Sequence, residues 1–329
     1  MNDERCSKVK SVRQIRIVDS ILISIVIVNW NSGRLLQSCV QSLLQHAPEC
    51  QIVVVDNAST DSSLLFVEEI HASAFSIVRN RRNAGFAEGN NIGWRRSEGD
   101  RILFMNPDIE CQPESIACLE RTLDADPGIW AVGGHLVSPS GQSQANYNVR
   151  AFPSFGNVAA EMLFMDALLP SRRQARRAAA QSAAVDVDQP AAACLMVEKA
   201  ALDKVGGFDE DFRPAWFEDV DLCRRIRDCG GRIQYQPLAR FLHHGGYSLQ
   251  RIARQDFLEI FHANQIRYFR KHNGARAAAR IRILIVLGLI LRSVLSTAAS
   301  PIPSMTRSAA AKMFWKAARR ISSLPESRS

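Results

Sequence analysis

The sequence predicts an α/β fold in which helices flank a mainly parallel sheet, with a basic helical tail at the C-terminus. Two observations support this fold class. Apolar runs of strand length alternate with segments whose apolar residues recur at helical spacing. The runs are continuously apolar, which is typical of strands that helices cover on both faces of a parallel sheet.

The N-terminal half supplies the elements of this sheet. The predicted strands are Ile21–Val28, Gln51–Asp56, Phe75–Asn80 and Arg101–Asn106. The predicted helices between them are Gly33–Gln45, Asp61–Ile70 and Ala84–Arg96. Ligands of such sheets bind beyond the carboxyl ends of the strands. Polar residues follow all four strands, so we expect a polar binding site at that edge, although any one polar strand end is common in loops.

The C-terminal half is less regular. Its predicted elements are a helix from Pro113 to about Ala125, a strand at Trp130–Val137, a mobile or partly helical loop at Ser171–Gln189, a strand at Ala192–Lys199, a helix from near Asp219 to Gly230, a short strand at 232–237 and a loop at 241–248.

Composition and cysteine placement favour a cytosolic globular protein. The 329 residues are 47% hydrophobic and 22% charged, enough for one large α/β domain with attachments. The eight cysteines are scattered without a C-x-x-C pair, which favours reduced core cysteines over disulfides. Residues 1–20 form an N-terminal extension without the apolar segment of a signal peptide.

The net charge of +8 is concentrated at the C-terminus, where Glu326 is the only acid after Arg270. The apolar run Ile283–Leu291 has about half of the roughly 20 residues that span a membrane. Two interpretations stay open. The segment is a packed C-terminal helix, or it lies on an anionic membrane with Phe314 and Trp315 in the interface. Nucleic acid is less favoured because no recognition motif accompanies the charge.

Asn106-Pro107-Asp108 ends a buried strand abruptly. A divalent cation such as Mg²⁺ prefers oxygen ligands and is commonly held by one or two carboxylates together with substrate phosphates. Asp108 could supply such a carboxylate. Asn, Pro and Asp are also ordinary turn formers, and taken alone the motif favours a turn.

Two further motifs carry titratable side chains. Glu218-Asp219 stands near a helix start, where acids can simply complement the helix dipole. The neighbouring Trp216 and Phe217 would shield an acid from water, raise its proton affinity and suit it to general-base catalysis. His243-His244 is a metal ligand or part of a polar loop.

The stretch Asn80–Trp94 places glycines and asparagines where helix formers would be expected. Small residues and amides suit a phosphate or sugar that approaches the backbone closely. Tight helix–strand packing would explain Gly85 and Gly89, but not Asn83, Asn90 and Asn91.

Taken in order, seven motifs resemble the family 2 glycosyltransferases, specifically the rhamnosyltransferase-like branch. They read ISIVIVNWN, IVVVDNASTDSS, NAGFAEGNNIG, LFMNPDI, GGFDEDF, WFEDVDLCRRIRDCG and HHGGYS. The resemblance implies a GT-A fold at 21–272, with a nucleotide-sugar-binding half (21–112), an acceptor-binding half (113–272) and a membrane-associating tail (273–329). It also implies transfer with inversion, and the absence of Q-x-x-R-W implies one sugar per encounter.

The resemblance also implies roles for individual residues. The nucleotide-sugar would be bound by Asn29, Asp56, Asn57, Asn83, Gly85, Phe86, Asn90 and Asn106, with Asp56 and Asn29 at the nucleotide base. Asp108 and His243 would hold a divalent cation, Mg²⁺ or Mn²⁺. Asp219, with Glu218 beside it, would be the catalytic base, and Trp216 and Phe217 would contact the acceptor. Asn106 replaces the first Asp of the family's Asp-x-Asp, which leaves one negative charge fewer on the metal.

The branch favours dTDP-L-rhamnose as donor. UDP-linked galactofuranose, glucose or N-acetylglucosamine are the alternatives, and a non-catalytic nucleotide-sugar-binding protein or a nucleotidyltransferase is less favoured. The acceptor would be a lipid-linked or cell-surface glycan intermediate. The protein would then act in the cytoplasm, peripherally on the inner face of the cell membrane, in polysaccharide synthesis for the cell envelope.

Overall fold

The computed structural model describes residues 22–70, 74–165, 177–178, 180–245, 253–298 and 305–324. The predicted N-terminal extension lies outside these residues. So do parts of two predicted loops, at 171–176 and 179 and at 246–248.

A mixed nine-stranded sheet forms the centre of the described part, in the order β3-β2-β1-β4-β10-β6-β11-β5, with β8 paired to β11. β7 and β9 form a separate two-stranded ribbon. The strands are β1 Ile23–Asn29, β2 Gln51–Asp56, β3 Phe75–Arg79, β4 Arg101–Met105, β5 Ile109–Cys111, β6 Ile129–Val137, β7 Val149–Arg150, β8 Val185–Asp186, β9 Gln189–Pro190, β10 Cys194–Glu198 and β11 Arg232–His243.

The helices cover this sheet and then continue beyond it. They are α1 Arg34–His46, α2 Gly85–Arg96, α3 Ser115–Asp124, α4 Ala145–Asn148, α5 Phe155–Met162, α6 Lys199–Val205, α7 Glu218–Asp228, α8 Arg254–Asn273, α9 Ala275–Ala298 and α10 Arg307–Ser322.

The predicted parallel sheet is confirmed for its N-terminal half. β1 pairs in parallel with β2 and β4, and β2 pairs in parallel with β3. β10 then runs antiparallel between β4 and β6. The carboxyl ends of β1, β2 and β4 therefore meet at one edge, as the sequence predicted.

The predicted helix at Asp61–Ile70 is wrong, because this segment forms turns. The side chain of Asp61 accepts hydrogen bonds from the backbone N–H groups of Gly33 and Ser63. The hydroxyl of Ser63 also accepts one from Asn29. Such side-chain bonds offer the segment an alternative to the helical ladder.

The predicted loop at 241–248 is also wrong at its start, because β11 continues to His243 and pairs with β5. Ala239, Phe241 and His243 are buried, whereas Leu238 before them and Arg240 among them are exposed. This alternation with a period of two residues is typical of a strand with one buried face. The pattern is not evident in the sequence, because one of the buried residues is the polar His243.

Three buried clusters hold the layers together. One face of the sheet packs on α1 and α3, and the other face packs on α2, α6 and α7. The third cluster joins α5, α8, α9 and α10 to Phe212, Phe217 and Val220. The C-terminal helices are thus packed on the domain, and the predicted tail boundary at 273 falls between two helices that contact each other.

The C-terminal helices also keep an exposed apolar surface. Phe314 is buried, contrary to its predicted place at a membrane interface, whereas Trp315 is 51% exposed. Among the described residues, α9 alone is long and apolar enough to cross a membrane, with a mean hydropathy of 2.0 over its most apolar window. The apolar helix Ala275–Ala298 is therefore longer than the run Ile283–Leu291 that the sequence analysis identified.

Candidate active site

A cleft of about 1510 Å³ lies at the carboxyl edge of the sheet. The ends of β1, β2 and β4 form one side of it, and the first turn of α7 and one face of α8 form the other. The β6–β7 connection and α5 complete the wall. Most of the residues that the sequence singled out surround this cleft.

Asp108 and His243 lie close together at the cleft edge, because Asp108 immediately precedes β5 and β5 pairs with the end of β11 at His243. His243 Nε2 lies 3.5 Å from Asp108 Oδ2, and both side chains are buried. Gln144 donates from Nε2 to the His243 carbonyl and accepts at Oε1 from His243 Nδ1, at 3.1 and 2.6 Å. These two bonds place the proton of a neutral ring on Nδ1. The lone pair of Nε2 therefore points towards the carboxylate of Asp108.

This arrangement fits a divalent cation. Two lone pairs that face each other repel, unless a proton or a metal ion lies between them. Ligands of one Mg²⁺ or Mn²⁺ at about 2.1 Å lie roughly 3 Å apart, close to the observed separation. Asp108 Oδ1 is buried without a hydrogen-bond partner among the described residues. The described part contains no group of three or more metal-ligating side chains, so phosphate oxygens or water must complete such a site.

Of the two adjacent histidines, the structure places only His243 in the cleft. His244 Nε2 lies 2.8 Å from Glu110 Oε1 on the outer side of β5. His243 is the last residue of β11 and His244 lies beyond it, and the two rings lie against different carboxylates, Asp108 and Glu110.

Asp219 stands at the first turn of α7, half-buried, with its carboxylate fixed by two hydrogen bonds. Gln189 donates from Nε2 to Oδ2 at 2.8 Å, and the backbone N–H of Val220 donates to Oδ1 at 2.8 Å. Gln189 itself is fully buried, and its Oε1 has no partner among the described residues. Each oxygen of Asp219 keeps a lone pair for a ligand in the cleft.

Glu218 lies beside Asp219 and is only 6% exposed. Burial, and next the negative charge of Asp219, raise the pKa of Glu218 well above the usual range of a glutamic acid. Its Oε2 is buried and unpartnered among the described residues. The two neighbouring carboxyl groups thus have different environments, as acid–base sites commonly do.

The aromatic pair before Glu218 adopts an unusual backbone. Trp216 and Phe217 have φ angles of 73° and 74°, a region that costs bulky residues free energy and that must be held by surrounding contacts. The Asn264 side chain on α8 donates to the carbonyls of Ala215 and Trp216 at 2.9 and 3.1 Å. Phe217 packs against Phe261. Both aromatic side chains line the cleft, with Trp216 the more exposed of the two.

The predicted donor-binding residues divide into two groups. Asn57, Asn83, Gly85, Phe86 and Asn106 line the cleft. Gly85 has a φ of +83°, and a Cβ there would lie 2.8 Å from the Pro214 carbonyl, which accepts a hydrogen bond from Phe86 N. Only glycine combines that conformation with so close an approach.

The second group lies behind the cleft wall. Asn29 donates from Nδ2 to Asp56 Oδ1 at 2.7 Å, and Asp56 Oδ2 accepts from the backbone N–H of Ser59. Asn90 is buried and donates to the Phe86 carbonyl within α2. The side chain of Asn91 donates to the carbonyl of Phe208 and accepts from its backbone N–H, although the two residues are 117 positions apart in the sequence. These buried hydrogen bonds account for Asn90 and Asn91, which tight helix–strand packing did not explain.

Sequence reasoning gave no role to Gln144, Tyr147, Arg150 and Gln189, all of which line the cleft. Tyr147 stacks on His243, with ring centroids 5.2 Å apart and planes 25° apart, and Arg150 lies 5.2 Å from the Tyr147 ring. Gln144, Tyr147 and Arg150 lie in a segment for which the sequence predicted no element, and Gln189 ends a predicted loop. The only signal was their polarity, which loops share.

Comparison with known proteins supports the fold and the class of enzyme. Residues 24–180 match the model of glycosyl transferase family 2. The protein y4gI of Sinorhizobium fredii is 27% identical over 68% of this chain, which spans only 24% of that relative. The N-acetylglucosaminyl-diphospho-decaprenol L-rhamnosyltransferase of Mycobacterium tuberculosis is 26% identical over 70% of this chain and 78% of the relative. Rhamnosyltransferase WbbL of Escherichia coli is 25% identical over 68% and 83%.

Two solved structures share the GT-A fold. GalNAc-T7 with UDP, GalNAc and Mn²⁺ superposes with a TM-score of 0.57 at 16% identity, over 91% of this chain and 55% of that one. The mannosyltransferase PcManGT of Pyrobaculum calidifontis with GDP-Man and Mn²⁺ gives 0.54 at 18% identity, over 92% and 85%. The predicted fold class is confirmed.

Proposed function

We propose that the chain, whose residues 24–180 match the model of glycosyl transferase family 2, is a glycosyltransferase that moves L-rhamnose from dTDP-L-rhamnose to a lipid-linked or cell-surface glycan. Transfer proceeds with inversion and adds one sugar per encounter. The observation that carries the proposal is that one cleft holds the Asp108–His243 pair and, apart from it, the carboxylate of Asp219. Two relatives named rhamnosyltransferases support the choice of sugar.

In the proposed reaction, an acceptor hydroxyl binds to Asp219. The carboxylate takes the hydroxyl proton as the oxygen attacks the anomeric carbon of the donor sugar. The new C–O bond forms on the face opposite the bond to the nucleoside diphosphate, which breaks. Gln189 and Val220 N–H keep the carboxylate oriented during this step. Inversion follows because a single displacement occurs.

Asp108 and His243 are the residues that would hold a divalent cation, Mg²⁺ or Mn²⁺. Such an ion, when bound, offsets negative charge on the departing diphosphate. Gln144 and Tyr147 fix the orientation of the His243 ring, so that Nε2 is held toward Asp108. The predicted donor residues that line the cleft, among them Asn57 and Asn83, would contact the nucleotide-sugar.

The test is nucleotide release and transfer by the purified protein, with dTDP-rhamnose against a panel of UDP- and GDP-sugars, each with Mn²⁺ or Mg²⁺ and again with a chelator. We expect metal-dependent turnover of dTDP-rhamnose. Asp219→Asn should reduce transfer by about 10²–10⁴-fold and leave dTDP binding unchanged. Transfer from another donor would replace the rhamnose assignment, and full activity of Asp108→Ala would exclude the metal role of Asp108.

We also propose that the protein acts on the cytoplasmic face of a membrane, as a peripheral protein. The support is an exposed apolar stripe on α9, formed by Ile283, Leu287 and Val294, which are about 60% exposed. Residues 275–298 and 305–324 contain several Arg and Lys but no acid, which suits anionic headgroups.

Removal of the tail would not test this membrane proposal cleanly, because α9 and α10 share a core with the domain. The substitutions Ile283→Asp and Leu287→Asp keep that core intact. They should release the protein from vesicles that contain anionic lipid. The matched control Leu238→Asp, at an equally exposed leucine on β11, should have no effect. Vesicle binding that survives both α9 substitutions would reject the membrane role of this stripe.

A further inference from the structure

Arg150 is the only arginine or lysine among the described residues that line the cleft. The carboxyl groups of Asp108, Glu161, Asp219 and Asp256 all line the same cavity. No carboxylate among the described residues forms a salt bridge with Arg150, whereas Arg232 on β11 pairs with Asp126 and Asp186. The guanidinium is half-buried and lies over the ring of Tyr147. A half-buried arginine without a counter-ion is suited to bind an anion, because its planar donors match a phosphate.

The ribbon formed by β7 and β9 places Arg150 beside the catalytic base. Arg150 pairs directly with Gln189 across this antiparallel ribbon. Directly opposed residues project their side chains to the same face, with Cβ atoms about 5 Å apart. Gln189 holds Asp219 from that face. Arg150 therefore lies on the same face of the ribbon as the side chain that holds Asp219.

Beyond Arg150 the cleft continues as a groove between α5 and α8. Asn157, Val158 and Glu161 of α5 line one wall at helical spacing, and Phe257, Ile260 and Phe261 of α8 line the other. Trp216 meets Phe257 edge to face and extends the apolar wall towards Glu218. The groove is mainly apolar, whereas the edge at Asn57, Asn83 and Asp108 is polar.

The groove also borders the exposed apolar surface. Phe155, Leu163 and Phe164, at the two ends of α5, are each about half exposed. α5 packs on α9, where Arg292 donates to the carbonyls of Glu161 and Met162 and lies 4.4 Å from the Phe164 ring. A long apolar chain that leaves the groove along α5 would thus remain on apolar surface.

We infer that Arg150 binds a phosphate of the acceptor, and that the α5–α8 groove receives the apolar chain attached to that phosphate. The acceptor is then a sugar phosphate or diphosphate carried on an apolar chain, with its hydroxyl at Asp219. This inference rests on the proposed function. The donor phosphates are assigned to Asp108 and His243, and the Tyr147 ring contacts both His243 and Arg150. The two anions are therefore bound by different residues, and the two assignments can be tested apart.

The first experiment measures binding without any sugar transfer. The probes are geranyl diphosphate, inorganic pyrophosphate and dTDP, titrated calorimetrically into the purified full-length protein. Arg150→Ala should weaken geranyl diphosphate binding by about 10- to 100-fold, the range for a charge-assisted hydrogen bond. Arg150→Lys should retain most of it. The control Arg96→Ala removes an exposed arginine at the far end of α2 and should have no effect.

The binding of dTDP should be unchanged in all three variants. Ile260→Asp should remove the preference for geranyl diphosphate over pyrophosphate, because it places a charge in the groove. Unchanged geranyl diphosphate binding in Arg150→Ala would overturn the inference. A loss of dTDP binding in the same variant would also overturn it, because Arg150 would then serve the donor. Thermal unfolding of each variant verifies that the fold is intact.

The second experiment measures transfer to two acceptors, a lipid N-acetylglucosaminyl diphosphate and octyl N-acetylglucosaminide, which lacks phosphate. Arg150→Ala should raise the KM for the diphosphate acceptor by about 10- to 100-fold. Its KM for the donor and for octyl N-acetylglucosaminide should not change. Equal losses with both acceptors would contradict a phosphate contact. If the wild-type protein transfers no sugar, the proposed function fails, and the binding measurement still decides the role of Arg150.

Discussion

The hydrogen bond from the buried Gln189 to Asp219 offers a quantitative test of the proposed catalytic base. Gln189→Leu keeps most of the side-chain volume and removes the 2.8 Å bond from Nε2 to Oδ2. A hydrogen bond to an ionised group contributes about 1.5–3 kcal/mol, and each 1.36 kcal/mol is tenfold, so kcat should fall by about 10- to 100-fold. Asp219→Asn removes the base itself and should cost about 10²–10⁴-fold in kcat.

The double variant separates positioning from an independent role. If Gln189 acts only by orienting the carboxylate, Gln189→Leu should cost nothing further in the Asp219→Asn background. The assay is steady-state transfer with both substrates saturating, with dTDP binding measured for every variant. Gln181→Leu, at an exposed glutamine, is the control. The positioning role of Gln189 would be refuted if Gln189→Leu lowered kcat in the Asp219→Asn background by the same factor as in the wild type.

Three further predictions concern single side chains. His243→Ala should raise the Mn²⁺ concentration for half-maximal activity at least about tenfold, whereas His244→Ala, measured in the same titration, should leave it unchanged. Because the folded protein raises the pKa of Glu218, the free energy of unfolding is lowered as pH rises above about 4.3, the value of an unfolded glutamate. Glu218→Gln should therefore gain stability over wild type between pH 5 and 8 in denaturant titrations, and an equal difference at pH 4 would contradict this cause. Burial lowers the pKa of His262 to about 4, against about 6.5 when unfolded. Stability should therefore fall by about 3 kcal/mol from pH 6.5 to pH 4, and His262→Gln should flatten that part of the curve.

The parallel half of the sheet could be predicted from the sequence because burial on both faces makes its strands continuously apolar. β1, β2 and β4 were located within two residues of their observed bounds. The errors occurred where polar side chains make the local structure. The hydrogen bonds of Asp61 and Ser63 stabilise turns where the sequence predicted a helix. β11 ends at His243, a polar residue on the buried face of the strand, so the apolar alternation does not reach the end of the strand.

The candidate site divides in the same way. Asp108, Asp219 and His243 stand in motifs, so their types and spacing could be recognised. Gln144 and Gln189 act through hydrogen bonds to residues 99 and 30 positions away in the chain. Neither contact leaves a periodic pattern in the sequence. Their polarity alone cannot distinguish them from loop residues, so only the three-dimensional structure could assign them.

The two interpretations of the C-terminal segment, a helix packed on the domain and a helix on a membrane, do not exclude each other. Ile281, Ile285 and Leu289 of α9 are buried against the domain, while Ile283 and Leu287 between them are exposed. A helix that is apolar on all sides is stable only if both faces leave water. Packing on the domain accounts for one face, and the membrane contact proposed above would account for the other. Because α5 packs on α9 and also lines the cleft, a membrane on that exposed face would lie close to the groove proposed for the acceptor chain. Loss of vesicle binding in Leu287→Asp should therefore reduce transfer to a lipid diphosphate acceptor in vesicles, but not to a short soluble one.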